Sequence, residues 1–361
     1  MSKSPSKFND VLEALENYNQ PFPNRLMRDF SDLTPVNLHE LKNFWPSIKT
    51  ERKVSLLEDL ENIAESDTLV SFDEFAKYTL TDPDPAVRVL SIRLLWECED
   101  PRLITTFTEM MLSDNAEDVR AAAASAMGKY VLLGELDSIT ESLRISSVQN
   151  LIDVVKGDDL PMVRRRALES LGYSSHPKVA DLILQATEQK DSQWMTSALY
   201  AIARSADDKW SNIVINHLDS KDSEVLFEAI RAAGELELED ARDTLLEKLD
   251  EITDDEDLRL AVIWSLSQIG GDVVKKKFED LAEKCTDEEE AEWLDKAIDN
   301  LELGQPLENM GMIDFEADKS AFESDDLSDY EDLDEDEEDE DEDEDYVDFD
   351  ELELSEGEEE E

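Results

Sequence analysis

The chain has 361 residues and a formal net charge of −60, from 94 acidic and 34 basic residues. This charge makes direct binding to nucleic-acid phosphates or to an anionic membrane unfavourable, and it favours a basic protein as the partner. The hydrophobic fraction of 40% is large enough for a sizeable buried core. Residues 314–361 alone hold 30 acidic residues and a single lysine, so much of the charge is concentrated in one segment.

The two cysteines, Cys98 and Cys285, are far apart and lack the spacing of a disulfide framework or a zinc site. The sequence contains no run of 18 apolar residues and no apolar leader after Met1. We therefore expect a cytoplasmic protein that makes no membrane contact. The composition leaves the oligomeric state open, and we favour a monomer.

Residues 1–33 are interpreted as an N-terminal flanking segment, and residues 34–81 as N-terminal helices that include a degenerate repeat. Apolar residues in this repeat recur every three or four positions, which places them on one face of each of two helices. They are Leu56, Leu60 and Ala64 for the first helix, with Leu56 taken as the first position of the repeat, and Phe72, Phe75 and Tyr78 for the second.

Residues 82–284 are predicted to hold six repeats, each of them a helical hairpin. In every copy an acidic or turn segment precedes three apolar or small residues at offsets zero, four and eight, which stack on one helical face. At offset zero these are Val87, Val119, Val163, Trp194, Val225 and Leu258; at offset four Ser91, Ala123, Ala167, Ala198, Ala229 and Val262; and at offset eight Leu95, Met127, Leu171, Ile202, Ala233 and Leu266. The small residue at offset four allows a neighbouring backbone to approach closely.

At offset nine, Gly128, Gly172 and Gly234 are predicted to end the first helix of their repeats in the left-handed conformation. A short turn and a second amphipathic helix then complete each hairpin. One interval between repeats is longer than the others, and we expect an insertion at residues 134–150 that adds a turn of helix.

Residues 285–303 are predicted to form a capping helix that closes the stack. From residue 304 the apolar periodicity stops, and residues 334–345 are all acidic. Because closely spaced like charges keep a chain expanded, residues 304–361 are predicted to be a disordered acidic tail. The predicted fold class is all-α: an α-solenoid (α-α superhelix) of stacked helical hairpins with a disordered acidic C-terminal tail.

The segments 82–88, 119–120 and 163–172 resemble the short HEAT repeat named after phycobilisome lyases. The order of the units, including residues 171–177, is similar to that of uncharacterised bacterial HEAT-repeat proteins with acidic tails. The resemblance implies an α-solenoid and no particular activity. It also implies that the arginines at offset one tie each repeat to aspartates in the turns. These arginines are Arg88, Arg120, Arg164 and Arg259, and the two copies that lack them have Met195 and Leu226.

Residue types that catalysis needs are scarce. A HEAT-like di-iron hydroxylase needs several His-Glu pairs. Of the three histidines, only His39 is followed by a glutamate, whereas His176 and His217 are not part of such a pair. No glycine-rich phosphate loop and no GxSxG motif is present. We therefore predict that the chain is not an enzyme and has no catalytic residue, cofactor or metal. The alternative is a phycobilin-lyase-like or other small-molecule-binding enzyme, whose groove is lined by Tyr173, Trp194, Tyr200 and Trp210.

The function predicted is a non-enzymatic protein-protein interaction scaffold or adaptor that binds a basic protein through the concave solenoid surface and the acidic tail. Aromatic residues such as Tyr346 and Phe349 interrupt the acids, which is typical of a motif that folds on a partner and equally of a solubilising segment. A further hypothesis docks the tail on residues 164–166 or 275–277. Another is that the acidic strip mimics nucleic acid and sequesters a nucleic-acid-binding protein.

Overall fold

The computed structural model describes residues 7–286 and 288–303, and every regular element in these residues is helical. The predicted all-α class is therefore confirmed for the described part of the chain. The tail predicted at residues 304–361, and the disorder expected from its charge, lie outside the described residues.

Seventeen α-helices follow one another in the described residues. They are α1 (Lys7–Glu16), α2 (Pro35–Phe44), α3 (Thr50–Ser66), α4 (Asp73–Thr79), α5 (Pro85–Arg93), α6 (Leu103–Ser113), α7 (Glu117–Glu135), α8 (Glu141–Lys156), α9 (Pro161–Leu171), α10 (Pro177–Thr187), α11 (Ser192–Arg204), α12 (Ser211–His217), α13 (Ser223–Glu235), α14 (Arg242–Glu251), α15 (Glu256–Ile269), α16 (Asp272–Ala282) and α17 (Glu288–Leu303). Short 3-10 helices span Asn24–Phe30, Trp45–Ser47, Asp208–Trp210 and Glu239–Ala241.

From α3 onward the helices form two layers, as the repeat pattern predicts. The odd-numbered helices α3 to α17 pack side by side, and we call them the first-helix layer. Each even-numbered helix from α4 to α16 lies against the odd-numbered helix that follows it, and these form the second-helix layer. Stacked helical hairpins of this kind are the predicted α-solenoid.

The register of the six repeats is confirmed by burial. At offsets zero, four and eight every side chain is buried except that of Trp194, which is half-buried. The residues at offset four, four of them alanines, are fully buried. Because full burial of each larger aliphatic side chain contributes about 1.5–3 kcal/mol, these positions supply much of the stability of the stack.

The predicted role of three glycines at helix ends is wrong. Gly128 lies inside α7 and Gly234 inside α13, while Gly172 directly follows α9 with an ordinary φ of −52°. The left-handed residues lie instead two positions beyond the ends of two of these helices, at Asp137 after α7 with a φ of 56° and at Glu237 after α13 with a φ of 48°. Gly270, directly after α15, also has a positive φ, of 70°.

The same glycines allow neighbouring first helices to approach closely. A Cβ atom on Gly172 would lie 2.6 Å from the carbonyl oxygen of Ala201, and one on Gly234 would lie 2.7 Å from the Cα of Ser265. Offset nine of one first helix thus meets offset seven of the next. The hydroxyl of Ser265 donates a hydrogen bond of 2.7 Å to the carbonyl of Ile230 across the same contact.

The long interval between the second and third repeats consists of longer helices. Helix α7 has 19 residues and α8 has 16, whereas α11 and α13 have 13 each. The predicted extra helical turn is present, but it extends both arms of one hairpin and does not form a separate insertion. Tyr130, in the extended part of α7, is buried and donates a hydrogen bond of 2.9 Å to the carbonyl of Cys98.

The N-terminal residues pack against α3 and α4 and close that end of the core. Aromatic rings mediate much of this contact: the centroid of Phe30 lies 5.8 Å from that of Phe22 and 4.9 Å from that of Phe75. Trp45 meets Phe75 edge to face at 5.1 Å. Residues 7–33, interpreted as a flanking segment, therefore contribute side chains to the buried core.

At the other end of the stack, α17 packs on α15 and α16. Its residues Leu294 and Ala297 are fully buried, as the predicted capping helix requires. None of the helices within residues 7–286 and 288–303 has both the length and the apolar character needed to cross a membrane.

Candidate interaction surfaces

A ladder of ion pairs joins successive first helices. Three arginines, each the fourth residue of its helix, bind the next repeat through two hydrogen bonds of 2.7–2.9 Å to one carboxylate. The pairs are Arg88–Asp114, Arg120–Asp159 and Arg259–Glu290. The ladder implied by the HEAT resemblance is therefore present at these three interfaces, with a glutamate replacing an aspartate at the last.

A fourth rung, which the sequence pattern did not reveal, uses lysine. The carboxylate of Asp82 accepts hydrogen bonds from Lys53 Nζ at 2.7 Å and from Trp45 Nε1 at 2.8 Å. The side chains of Lys53 and Asp82 are only 6% and 1% exposed. This rung is an ion pair almost fully removed from water.

The lysine rung also corrects the register of the degenerate repeat. Lys53 is the fourth residue of α3, as Arg88 is of α5. Leu56 and Leu60 therefore occupy offsets four and eight, and the repeat begins four residues earlier than predicted. Both leucines are fully buried, which fits either register.

The ladder is interrupted at three consecutive interfaces between α9 and α15. Met195 and Leu226 occupy the ladder position in α11 and α13. Arg164 in α9 donates to the carbonyl of Val155 at 2.9 Å, and its guanidinium lies 5.4 Å from the centroid of the Trp194 ring. Other contacts must hold this central part of the stack together.

The rungs make stability depend on pH in the acid range. The hydrogen bond from Arg120, partly opposed by burial, holds the pKa of Asp159 below its ordinary value. A lowered folded-state pKa stabilises the protein above the ordinary pKa of about 3.9, and this contribution is lost as the pH falls through the folded-state pKa.

We therefore expect Asp159→Asn to lower the free energy of unfolding by about 1–3 kcal/mol at pH 7, and progressively less below about pH 4. Urea unfolding at neutral and acid pH measures both values. Asp158→Asn, on the exposed neighbouring residue, serves as the control and should change neither. A cost for Asp159→Asn that does not shrink in acid would contradict the role of the ionised rung.

Exposed carboxylates follow one edge of the stack, where the turns before the first helices lie. We call this surface the acidic edge, and its exposed members are Glu117, Asp118, Asp158, Asp191, Glu224, Asp254 and Asp257. Part of this acidity has a local cause, since Asp191 caps α11 by accepting the backbone N–H of Gln193 at 3.1 Å. The other carboxylates of the edge form a row of negative charges that recurs along the repeats.

A recess of about 580 Å³ opens on the acidic edge between the turns before α5 and α7. Its lining consists of Thr81, Asp82, Pro83, Pro85, Arg88, Ser113, Asp114, Asn115 and Ala116. The two carboxylates, Asp82 and Asp114, are already bound by Lys53 and Arg88. The recess therefore contributes shape to the edge but does not supply a ready cation site.

A second surface lies on the side of the first helices that faces away from the second-helix layer. A step of two residues turns a helix by about 200°, so offsets two, six and ten lie opposite the buried offsets. Arg165 and Glu235 are among the half-buried side chains at these offsets. We group five others, together with Arg166 at the flanking offset three, as the arginine–aromatic face. Its members are Arg166, Tyr173, Arg204, Phe227, Arg231 and Trp264.

Cation–π contacts connect this face across three first helices. The guanidinium of Arg204 lies 3.7 Å from the centroid of Tyr200, which is buried beneath the face, and 5.0 Å from that of Tyr173. Arg231 approaches the other side of the cluster, 5.4 Å from the Tyr200 centroid. Such contacts contribute about 0.5–2 kcal/mol each, so they stabilise the region where the ladder is interrupted.

The aromatic groove considered for a small-molecule enzyme is only partly assembled. Tyr173 and Tyr200 meet through Arg204, and Trp194 pairs separately with Arg164. Trp210 is buried at the start of α12, in the second-helix layer. The interpretation of all four rings as one patch is wrong, and the enzyme alternative itself stays a prediction.

The histidines make local hydrogen bonds. His176 caps α10, with Nδ1 accepting the N–H of Lys178 at 3.2 Å, while His39 Nε2 lies 3.2 Å from the amide of Asn43. His217 Nδ1 lies 2.7 Å from the carbonyl of Ile213. Over the residues that the structure describes, no group of three or more His, Cys, Asp or Glu side chains is arranged to hold a metal.

Comparison with known proteins identifies the repeat. The family model for HEAT repeats matches residues 72–148 and 211–298. No curated protein matches the chain. Among solved structures, YibA of E. coli is 17% identical, with a TM-score of 0.40 over 84% of this chain and 99% of that one. An engineered protein is 18% identical, with a TM-score of 0.36 over 81% and 88% of the two chains.

Proposed function

From the premise that this chain carries HEAT repeats, we propose that it is a non-enzymatic scaffold or adaptor that binds a basic protein. Stacked helical repeats present long continuous surfaces, which suit them to protein–protein interaction. The acidic edge is the observation that carries the choice of partner. Its exposed carboxylates recur along the stack, so a partner with several separated lysines or arginines gains a contact at each repeat.

The acidic residues 314–361 support the same partner on grounds of charge alone. A dense negative charge accelerates encounter with a cationic protein, and the effect weakens as salt screens it. In this proposal the acidic residues of the tail increase the rate of association, while the folded repeats supply selectivity. Removal of residues 314–361 should therefore slow association more than it speeds dissociation.

The role of the acidic edge is tested by neutralising four of its exposed carboxylates that cap no helix. The variant combines Glu117→Gln, Asp118→Asn, Glu224→Gln and Asp257→Asn in the full chain. Basic proteins captured from the native cell are quantified by mass spectrometry at about 0.15 M salt, where the screening length is about 8 Å. We expect capture to fall about tenfold, because each lost contact weakens binding by a few tenths of a kcal/mol or more.

The matched control neutralises four exposed carboxylates of the second-helix layer. It combines Glu109→Gln, Asp153→Asn, Asp181→Asn and Glu247→Gln, so the net charge changes by the same amount. Capture by this variant should stay within about twofold of the original, since selective contacts are retained. Equal losses for both variants, or captured proteins that are not basic, would overturn the proposal.

A further inference from the structure

The arginine–aromatic face has the composition of a binding hot spot. Arginine, tyrosine and tryptophan dominate hot spots, and phenylalanine is also enriched at protein interfaces. All six residues of the face are half-buried, so each presents part of its side chain at the surface. The acidic edge has the opposite composition, because exposed acidic residues dominate it. The two surfaces are therefore chemically distinct.

The face is continuous over four first helices. Contacts of Arg204 join α9 to α11, and the approach of Arg231 to Tyr200 joins α11 to α13. Trp264 of α15 lies directly against α13, because a Cβ atom on Gly234 would be 2.8 Å from its Cζ3. A partner therefore meets one connected surface at the centre of the stack.

Two arginines of this surface pair with glutamates that are equally or more deeply buried. Arg166 has a side chain 36% exposed, whereas Glu169, which it binds at 2.8 Å, is only 6% exposed. The carboxylate of Glu169 also accepts a hydrogen bond of 2.5 Å from the hydroxyl of Ser197. Burial raises the pKa of Glu235, although Arg231 and Arg204 oppose the shift. Arg231 and Glu228 lie 3.5 Å apart and are each 12% exposed, so the guanidinium of Arg166 is the positive charge that a ligand meets most directly.

We propose that the arginine–aromatic face binds an acidic protein segment that carries aromatic or aliphatic side chains. Guanidinium groups bind carboxylates through paired hydrogen bonds, and the rings of Phe227 and Trp264 offer apolar surface to the side chains between them. A nucleic acid is disfavoured because its long phosphate chain would be repelled by the rest of a protein of net charge −60. Together with the acidic edge, the face makes the scaffold an adaptor for two partners of opposite charge.

The test measures fluorescence anisotropy of a labelled acidic peptide, Glu-Asp-Phe-Asp-Glu-Leu-Glu-Asp-Phe-Glu, with the full chain at about 0.15 M salt. A second peptide, in which serine replaces each phenylalanine and leucine, measures the apolar contribution. We expect the first peptide to bind with a Kd below about 100 μM and the second at least about fivefold more weakly. A Kd above about 1 mM for the first peptide, or equal affinities for the two, would overturn the proposal.

Substitutions then locate the site. Arg166→Gln and Arg231→Gln should each weaken binding of the first peptide about five- to tenfold, and Arg231→Lys should recover part of the loss. The matched control is Arg93→Gln in α5, which stands at the same offset as Arg231; Arg93 pairs with Glu61 at 2.6 Å, as Arg231 pairs with Glu228 at 3.5 Å. Arg93→Gln should change the Kd by less than about twofold, and a loss equal to that of Arg231→Gln would refute the assignment.

Circular dichroism establishes that each variant is folded. Phe227→Ser offers an uncharged substitution that should weaken binding of the aromatic peptide only.

Discussion

Replacing Lys53 with Met is expected to lower the free energy of unfolding by about 3–5 kcal/mol. The substitution keeps the side-chain volume but leaves the carboxylate of Asp82 without its cation in a site where it is 1% exposed. Hydrogen bonds from Trp45 and from the backbone of Asp84 remain, yet they cannot neutralise the charge. Urea unfolding followed by circular dichroism measures the loss, and hydrogen exchange should place it first in α3 to α5.

The double variant Lys53→Met with Asp82→Asn distinguishes charge from packing. Because it removes both charges, it should be more stable than Lys53→Met alone by about 1 kcal/mol or more. Arg102→Gln provides the control, since Arg102 binds Asp100 at 2.6 Å on the surface with a side chain 86% exposed, and its loss should leave stability unchanged. A cost below about 1 kcal/mol for Lys53→Met would show that the pair is not structurally important.

Gly172→Ala is expected to destabilise the protein by about 2–3 kcal/mol, although alanine normally stabilises a helix relative to glycine by up to about 1 kcal/mol. The new Cβ would lie 2.6 Å from the carbonyl oxygen and 2.8 Å from the Cα of Ala201. Both are backbone atoms, so relief requires α9 and α11 to move apart. Thermal and urea unfolding of the variant measure the cost.

Gly128→Ala is the matched comparison, because Gly128 stands at the same offset in α7. Its added Cβ would meet the Oγ of Ser170 at 3.1 Å and the Cα at 3.3 Å, a milder contact that small movements relieve. The gain in helix propensity should roughly offset the strain, so we expect a change within about 1 kcal/mol. Equal costs at both glycines would show that close approach of the helices is not the cause.

Two features, one of the glycines and one of the ladder, show where the local sequence pattern misleads. In the sequence, a glycine that caps a helix cannot be distinguished from one that allows a neighbouring helix to approach closely. Gly172 was misassigned for this reason. A shift of four residues leaves an apolar helical face unchanged, so Leu56 and Leu60 could not set the register of their repeat. Only the contact between Lys53 and Asp82 distinguishes the two alignments.

The apolar pattern also did not predict the arginine–aromatic face, although the sequence contains a signal for it. Offsets two, six and ten mark the side of the first helices opposite the core, and arginines and aromatic residues are gathered there from α9 to α15. The sequence does not say that Arg204 stacks on Tyr200 and Tyr173 while Trp210 lies in the other layer. Those pairings depend on which helices become neighbours.

By itself the sequence determined the all-helical class, the hairpin repeat, the buried positions at offsets zero, four and eight, and the capping helix at α17. These follow from helical periodicity and from the need to bury apolar side chains, which are properties of short segments. The tertiary structure alone decided the lysine rung, the close contact at Gly172 and the two chemically opposite surfaces. The physical reason is that these features join residues of different helices, and their partners are set by how the helices stack.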